Sequence, residues 1–212
     1  MVQKVRIVFF LLGLTGIVLH ILHTERVLQL FSYYTMQSNV LAVILWGVLI
    51  VKNNEDTTIM RRCRFVLTTG IMITFIVYHF VLVPVLKSSE LNYPLFTIND
   101  LFVHYFTPLL MFFDYVFLSK PFKIPLRQMM LVWVQPVFYT LYVFIYVTLG
   151  GVYIIDNTTT RFPYFFMDID QYGWQVVLMY GVGILILFIV LGFIIHLMKQ
   201  LINAQITRRT TV

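Results

Sequence analysis

The stretch WQVVLMYGVGILILFIVLGFIIHLM, residues 174–198, contains no Asp, Glu, Lys or Arg and decides the fold class. A helix needs about 20 mostly apolar residues to cross the hydrocarbon core of a bilayer, where it satisfies its own backbone hydrogen bonds. Five further apolar runs lie at about residues 5–22, 32–51, 65–86, 100–118 and 129–149. The sequence therefore predicts one all-α domain over residues 1–212, a polytopic bundle of six transmembrane helices.

The composition agrees with a membrane protein and excludes several other classes. Hydrophobic residues make up 60% of the 212 residues and charged residues only 11%, far from the usual soluble composition. No connection between the spans is long enough to form a separate soluble domain. Cys63 is the only cysteine, so neither a disulfide nor a cysteine zinc site can form within one chain.

The segments before, between and after the spans lie alternately on the two sides of the membrane, and the basic residues are divided unequally between these sides. Only Arg26, Lys87 and Arg161 fall on one side. At these span ends we expect the basic residues to meet anionic headgroups rather than nucleic acid. The other twelve fall on the second side: Lys4, Arg6, Lys52, Arg61, Arg62, Arg64, Lys120, Lys123, Arg127, Lys199, Arg208 and Arg209. Such an imbalance in short loops places the basic side in the cytoplasm, so we expect both termini to be cytoplasmic. We expect the protein itself to lie in the cell membrane.

The polar residues inside the spans converge on the opposite, outer half of the membrane. Ionisable groups at this depth are costly and tend to mark functional sites. Residues spaced by three or four positions share a face of a helix, as do Thr35, Ser38 and Asn39 of span 2. The same spacing joins Asp100, His104 and Thr107 of span 4. His79 of span 3 lies at a similar depth. Asp114, Gln135 and His196 are the main exceptions.

These residue types suit acyl transfer. A carboxylate one helical turn from an imidazole can orient the ring, and such a ring can take a proton from a hydroxyl nucleophile. Pro108 lacks an N–H and frees a backbone carbonyl near His104, a further partner for the ring. A structural role is the alternative, since Ser, Thr and Asn in membrane helices commonly bond their own backbone or a neighbouring helix. Asp114 could likewise pair with a Lys or Arg at the cytoplasmic end.

Aromatic residues gather near the predicted outer interface, where tyrosine and tryptophan form a belt at the headgroup level. They are Tyr33, Tyr34, Tyr93, Tyr153, Tyr164, Tyr172 and Trp174. The belt is sufficient to explain most of them.

Three stretches carry a family resemblance: FSYYTMQSNVLAV, LFVHYFTPLLMFFDYVF and RFPYFFMDIDQYG. In this order they resemble the Pr6Pr family of bacterial six-span membrane proteins, with its T-x-Q-S-N, H-x-x-x-P-x-x-x-x-x-D and P-Y-x-F-x-D-like elements. More distantly, the layout resembles the androgen-induced-gene family of membrane threonine hydrolases, which cleave fatty acid esters of hydroxy fatty acids. The resemblance implies a catalytic threonine at Thr35 and a catalytic histidine at His104.

Together these observations predict an intramembrane hydrolase of lipid esters that needs no cofactor. Thr35 would be the nucleophile and His104 the general base. The supporting roles have alternatives: Asp100 or Asp114 would orient His104, and Ser38, Asn39 or His79 would donate to the oxyanion. A fatty acyl ester could enter sideways from the outer leaflet.

Two other classes remain open at this stage. Three histidines from different spans, His20, His79 and His104, could make an open zinc site for a metal-dependent hydrolase. A transporter or lipid-binding protein without catalysis is the third class, although no internal repeat supports a transporter. The oligomeric state is not predicted.

Overall fold

The computed structural model describes residues 1–53, 57–88, 95–120, 122, 124–155 and 158–210. Six of its helices are long and apolar enough to cross a membrane. They are α1 (Val2–Leu22), α2 (Tyr34–Val51), α3 (Thr58–Ser88), α4 (Ile98–Leu118), α5 (Leu126–Thr148) and α6 (Ile169–Thr210). The prediction of an all-α bundle with six membrane-spanning helices is therefore confirmed, while the cytoplasmic placement of the termini stays a prediction.

Two helices differ in length from the predicted spans. Helix α3 begins at Thr58 rather than near Phe65, because the Thr57 hydroxyl accepts a hydrogen bond from the Met60 N–H at 3.2 Å and caps the helix. Helix α6 is interrupted at Gly173, whose φ of 75° is accessible to glycine at little cost. The membrane-spanning part of α6 thus starts at Trp174, as the hydrophobic pattern predicted.

Helix α3 lies at the centre of the bundle and contacts α2, α4, α5 and α6, whereas α1 packs mainly on α2 and α4. Small residues allow the close approach of α1. A Cβ at Gly13 would lie 2.9 Å from the Val43 side chain, and one at Gly16 would lie 2.8 Å from Phe102. These distances are too short for a real side chain, so glycine is required where α1 crosses its neighbours.

A β-hairpin marks one end of the bundle. Strands β1 (Tyr153–Ile155) and β2 (Thr158–Thr160) pair antiparallel in the connection between α5 and α6. The hairpin is held to the chain before α2, because the Gln29 side chain donates to the Ile154 carbonyl at 3.0 Å and accepts from the Ile154 N–H at 3.1 Å. We call this the hairpin end, and the opposite end, where α1 begins, the terminal end.

The terminal end contains buried charges. Arg6 of α1 and Asp114 of α4 form an ion pair at 2.6 Å with each side chain 1% exposed, and Arg6 also donates to the Leu118 carbonyl at 3.3 Å. Lys199 of α6 donates to the carbonyls of Val116 and Ser119. The prediction that Asp114 pairs with a base is confirmed. Arg6, Arg64 and Lys199 are buried, so these three bases do not meet headgroups as their positions in the sequence suggested.

Candidate functional site

A cavity of about 430 Å³ lies between α3, α5 and α6, toward the hairpin end. Its walls are mostly apolar, with Ile73 and Val77 of α3, Val137 and Leu141 of α5, and Leu178 of α6 among them. Its polar lining comes from hydroxyl groups: Tyr34, Thr35, Thr74, Tyr78, Tyr139, Thr140 and Tyr164. The volume lies in the range of small-molecule sites, and the lining suits an apolar chain with a polar group at one end.

Thr35 lies in the wall of this cavity, in the first turn of α2, and is partly exposed to it. Its polar neighbour is Tyr164, from the connection that precedes α6. Burial raises the pKa of Tyr164 to about 12, and interactions with the side chain and backbone of Thr35 oppose that increase. The Tyr164 hydroxyl therefore carries its proton at neutral pH and can act as a hydrogen-bond donor beside Thr35.

The backbone around Thr35 adds N–H donors that have no acceptor within the helix. Helix α2 begins at Tyr34, and its cap residue Tyr33 makes no side-chain capping bond. The first N–H groups of a helix have no intrahelical acceptor and lie at the positive end of the helix dipole. The backbone of Tyr34 and Thr35 counters part of the rise in the pKa of Tyr164, which places the Tyr164 hydroxyl near these N–H groups. An oxygen atom of a bound molecule that develops negative charge would be stabilised beside these N–H groups.

His104 lies outside the cavity lining, beside one of its walls. Its ring stacks on Tyr78 of α3 with centroids 3.6 Å apart and planes 12° apart. Tyr78 lines the cavity and donates from its hydroxyl to Asp100 Oδ2 at 3.0 Å. On the other side, His104 Nε2 lies 4.0 Å from Asp100 Oδ1. The predicted pair of Asp100 and His104 is thus brought together, with Tyr78 as a third member.

The helices that carry Thr35 and His104 are adjacent, and Asn39 joins them. The Asn39 amide donates to the Thr35 carbonyl at 2.8 Å and to the Val103 carbonyl at 3.0 Å. In the π-helical segment Phe102–Phe106 the hydrogen bonds run five residues back, so the missing N–H of Pro108 concerns the Val103 carbonyl, which accepts from Asn39 and not from the His104 ring. The turn of Thr35 and the turn of His104 therefore lie at the same level of the bundle.

Thr35 and His104 do not contact each other in this arrangement. Neither residue donates to the other in the described part of the chain, and the closest ring to His104 is Tyr78. The Nδ1 atom of His104 is buried without a hydrogen-bond partner among the described residues. The structure thus places the two predicted catalytic residues near one another but separate, with one imidazole nitrogen unoccupied.

The remaining predicted site residues have structural partners. The Asn39 amide donates one hydrogen to the Thr35 carbonyl of its own helix and the other to the Val103 carbonyl of α4, which leaves none for an oxyanion. Ser38 contacts Thr74 at 3.0 Å and the carbonyls of its own helix. His79 is exposed, bonds the Tyr105 hydroxyl at 2.9 Å and does not line the cavity. Asp114 pairs with Arg6, so Asp100 is the only predicted acid beside His104.

The histidines do not assemble a metal site. No group of three His, Cys, Asp or Glu side chains among the described residues has the proximity that a metal ion requires. His79 bonds a tyrosine instead. The zinc alternative therefore has no geometric support in the part of the chain that the structure describes.

Two tyrosines belong to the site although the sequence pointed elsewhere. Tyr164 was explained by the aromatic belt, and nothing in the sequence singled out Tyr78 in span 3. A belt tyrosine and a site tyrosine look alike in sequence, because both are amphipathic residues at a span end. The P-Y-x-F-x-D-like element around Tyr164 was the one signal that could have identified it.

Replacing Asn39 with leucine should loosen the contact between α2 and α4. The substitution keeps the side-chain size, removes two hydrogen bonds and leaves the Val103 carbonyl unpaired, at a cost of about 1–2 kcal/mol. Unfolding of the purified protein in mixed micelles would measure the loss. Leu41→Asn is a suitable control, because residue 41 is exposed on the same helix, and an unchanged stability of Asn39→Leu would contradict the bridging role.

Comparison of the chain with family models, with curated proteins and with solved structures gave no match.

Proposed function

We propose that this chain is an intramembrane hydrolase of fatty acyl esters, with Thr35 as the nucleophile and His104 as the general base. The observation that carries the proposal is the position of Thr35 in the wall of an apolar cavity, within a bundle of helices long and apolar enough to cross a membrane. The acyl chain would occupy the apolar part of the cavity and the ester would lie at the hydroxyl-lined part. The resemblance to membrane threonine hydrolases supports the same two residues.

The reaction would proceed in two steps. The Thr35 hydroxyl oxygen attacks the ester carbonyl carbon, and its proton passes to His104 Nδ1. The carbonyl oxygen becomes negative and accepts hydrogen bonds from the backbone N–H groups of Tyr34 and Thr35 and from the Tyr164 hydroxyl. The carbon–oxygen bond to the alcohol then breaks, and His104 gives the proton to the leaving alcohol. Water attacks the acyl-threonine by the same route and releases the fatty acid.

Asp100 would have a positioning role. With Nε2 facing the Asp100 carboxylate, the Nδ1 atom of His104 is the acceptor for the Thr35 proton. Catalytic hydrogen bonds are often absent from ligand-free enzymes and form only in the substrate complex. In this proposal the Thr35 hydroxyl and the His104 ring come within hydrogen-bond distance only when the lipid is bound.

Covalent labelling tests the nucleophile directly. Purified protein in nanodiscs would be treated with a long-chain alkyl fluorophosphonate, which phosphonylates an activated hydroxyl with loss of fluoride. We expect one adduct on Thr35 by peptide mass spectrometry. Thr140 serves as an internal control, because it also lines the cavity but has no proposed role in catalysis. A label on Thr140 or Ser38 instead of Thr35 would contradict the assignment.

A lipid-binding protein without catalysis is the second candidate. It is favoured by one observation, that the Thr35 hydroxyl is next to a tyrosine and not to an imidazole. This candidate predicts saturable binding of an acyl lipid with no release of fatty acid over long incubation. A hydrolytic rate above that of heat-denatured protein would eliminate it.

A further inference from the structure

A lateral opening connects the cavity to the space around the bundle. Helices α5 and α6 both pack on α3, yet they diverge from each other over the cavity. The edges of the gap are residues that line the cavity and are also exposed: Val137, Thr140 and Leu141 of α5, and Leu178, Gly181 and Val182 of α6. We call these six residues the window. The four aliphatic members are between 47% and 60% exposed.

Both ends of the window are closed by contacts between α5 and α6. Toward the terminal end, the Trp133 indole N–H donates to the Leu185 carbonyl at 3.1 Å. Toward the hairpin end, Phe144 stacks on Trp174 with centroids 5.6 Å apart and planes 14° apart. The window is therefore a bounded slot in the side of the bundle, and not an open end that leads to water.

The surroundings of the window are hydrocarbon when the six helices span a bilayer. Its edge consists of four aliphatic side chains, one glycine and one threonine, none of them charged, and the cavity behind it is mostly apolar. A polar solute would lose its hydration on this route without gaining partners. An acyl chain would lose nothing, because lipid tails already surround the opening.

We infer that a single acyl chain enters the cavity from the bilayer through the window and directs its ester or headgroup toward Thr35 and Tyr164. The volume of about 430 Å³ lies toward the lower end of the range for small-molecule sites, and we take it to hold one acyl chain rather than two. This inference rests on the proposed function only in its use of the Thr35 cavity as the binding site.

Two glycines of α6 provide a matched pair of variants. A Cβ at Gly181 or at Gly183 would meet no atom within 4 Å, so either position accepts a larger side chain without a clash at Cβ. Gly181 lines the cavity and Gly183 does not. Gly181→Phe would place a ring in the window, whereas Gly183→Phe adds the same ring to the same helix away from it.

Quenching of tryptophan fluorescence can measure the entry of an acyl chain into the cavity. Trp174 lines the cavity, so a bromine-labelled acyl chain bound there should quench it. The probe would be a lysophosphatidylcholine brominated along its one chain, titrated into nanodiscs of unlabelled lipid. We expect saturable quenching that Gly181→Phe weakens at least tenfold in apparent affinity, while Gly183→Phe leaves it unchanged. Phosphatidylcholine with two brominated chains should give no saturable quenching.

Several outcomes would overturn the inference. Equal affinity in wild type and Gly181→Phe, an equal loss in both phenylalanine variants, or saturable binding of the two-chain lipid would each do so. Should Gly181→Phe fail to fold, Gly181→Cys in a Cys63→Ser background can be blocked with benzyl methanethiosulfonate and restored with dithiothreitol. Normal binding without any hydrolysis would refute the proposed function alone, and hydrolysis that is unaffected by Gly181→Phe would refute the window alone.

Discussion

Replacing Asp114 with leucine should destabilise the protein by about 3–5 kcal/mol, because it removes the carboxylate that pairs with Arg6 at 2.6 Å inside the bundle. Both side chains are almost fully buried, so water cannot compensate for the lost partner. The carbonyl of Leu118 still accepts from Arg6, but a carbonyl dipole does not neutralise a guanidinium charge. The measurement is the free energy of unfolding in mixed micelles of detergent and denaturant, followed by circular dichroism.

Two further variants make this prediction specific to the buried pair. The double variant Arg6→Met with Asp114→Leu should recover most of the stability, since replacing both charges of a buried pair by apolar groups is often neutral. Asp170→Leu is the control, because it breaks an Arg–Asp pair whose side chains are 52% and 47% exposed and should cost less than about 1 kcal/mol. A loss in the double variant as large as in Asp114→Leu would show that the ion pair is not the cause.

Replacing Thr35 with valine should abolish hydrolysis of a long-chain acyl ester, with a fall in kcat of at least about 10³-fold. Valine keeps the branched shape of threonine and removes only the hydroxyl, so lipid binding measured with the brominated probe should persist. Thr35→Ser should retain part of the activity, because it keeps the attacking oxygen. Release of fatty acid from a fluorogenic ester by protein in nanodiscs is the measurement.

The partner variant tests whether Thr35 and His104 act together. His104→Gln should lower kcat by about 10²–10⁴-fold, the usual contribution of a general base. Residues that act as a unit are strongly non-additive, so the double variant should be no slower than Thr35→Val alone. Thr148→Val, which removes a hydroxyl of α5 that does not line the cavity and bonds the Phe144 carbonyl, should leave the rate nearly unchanged. Full activity in Thr35→Val or in His104→Gln would refute the mechanism.

The shared level of Thr35 and His104 was predictable from sequence, whereas their relation to the cavity was not. Their depth follows from the distance of each residue from the end of its span, which can be counted along the chain. The face that each helix turns toward its neighbours cannot be counted in this way. Asn39 illustrates the difference: its position in span 2 was clear, but only the packing of α2 on α4 gives its amide to Val103.

Asp114 is a second residue whose position was clear from the sequence but whose partner was not. Two roles were open for this residue, either orientation of His104 or pairing with a base at the terminal end. Both require a negative charge in span 4, so the sequence could not choose between them. The structure pairs it with Arg6 at 2.6 Å, because α1 packs against α4 there.

The sequence by itself determined the number and class of the spans, because a backbone in hydrocarbon must satisfy its own hydrogen bonds and apolar runs are read directly along the chain. It also showed which few polar residues lie within those runs. Only the tertiary structure decided that Thr35 borders a cavity, that Tyr78 and Tyr164 accompany the two candidate residues, and that α5 and α6 separate into a window. Those features depend on helix rotation and on the choice of neighbours, which arise from side-chain packing between segments far apart in the chain.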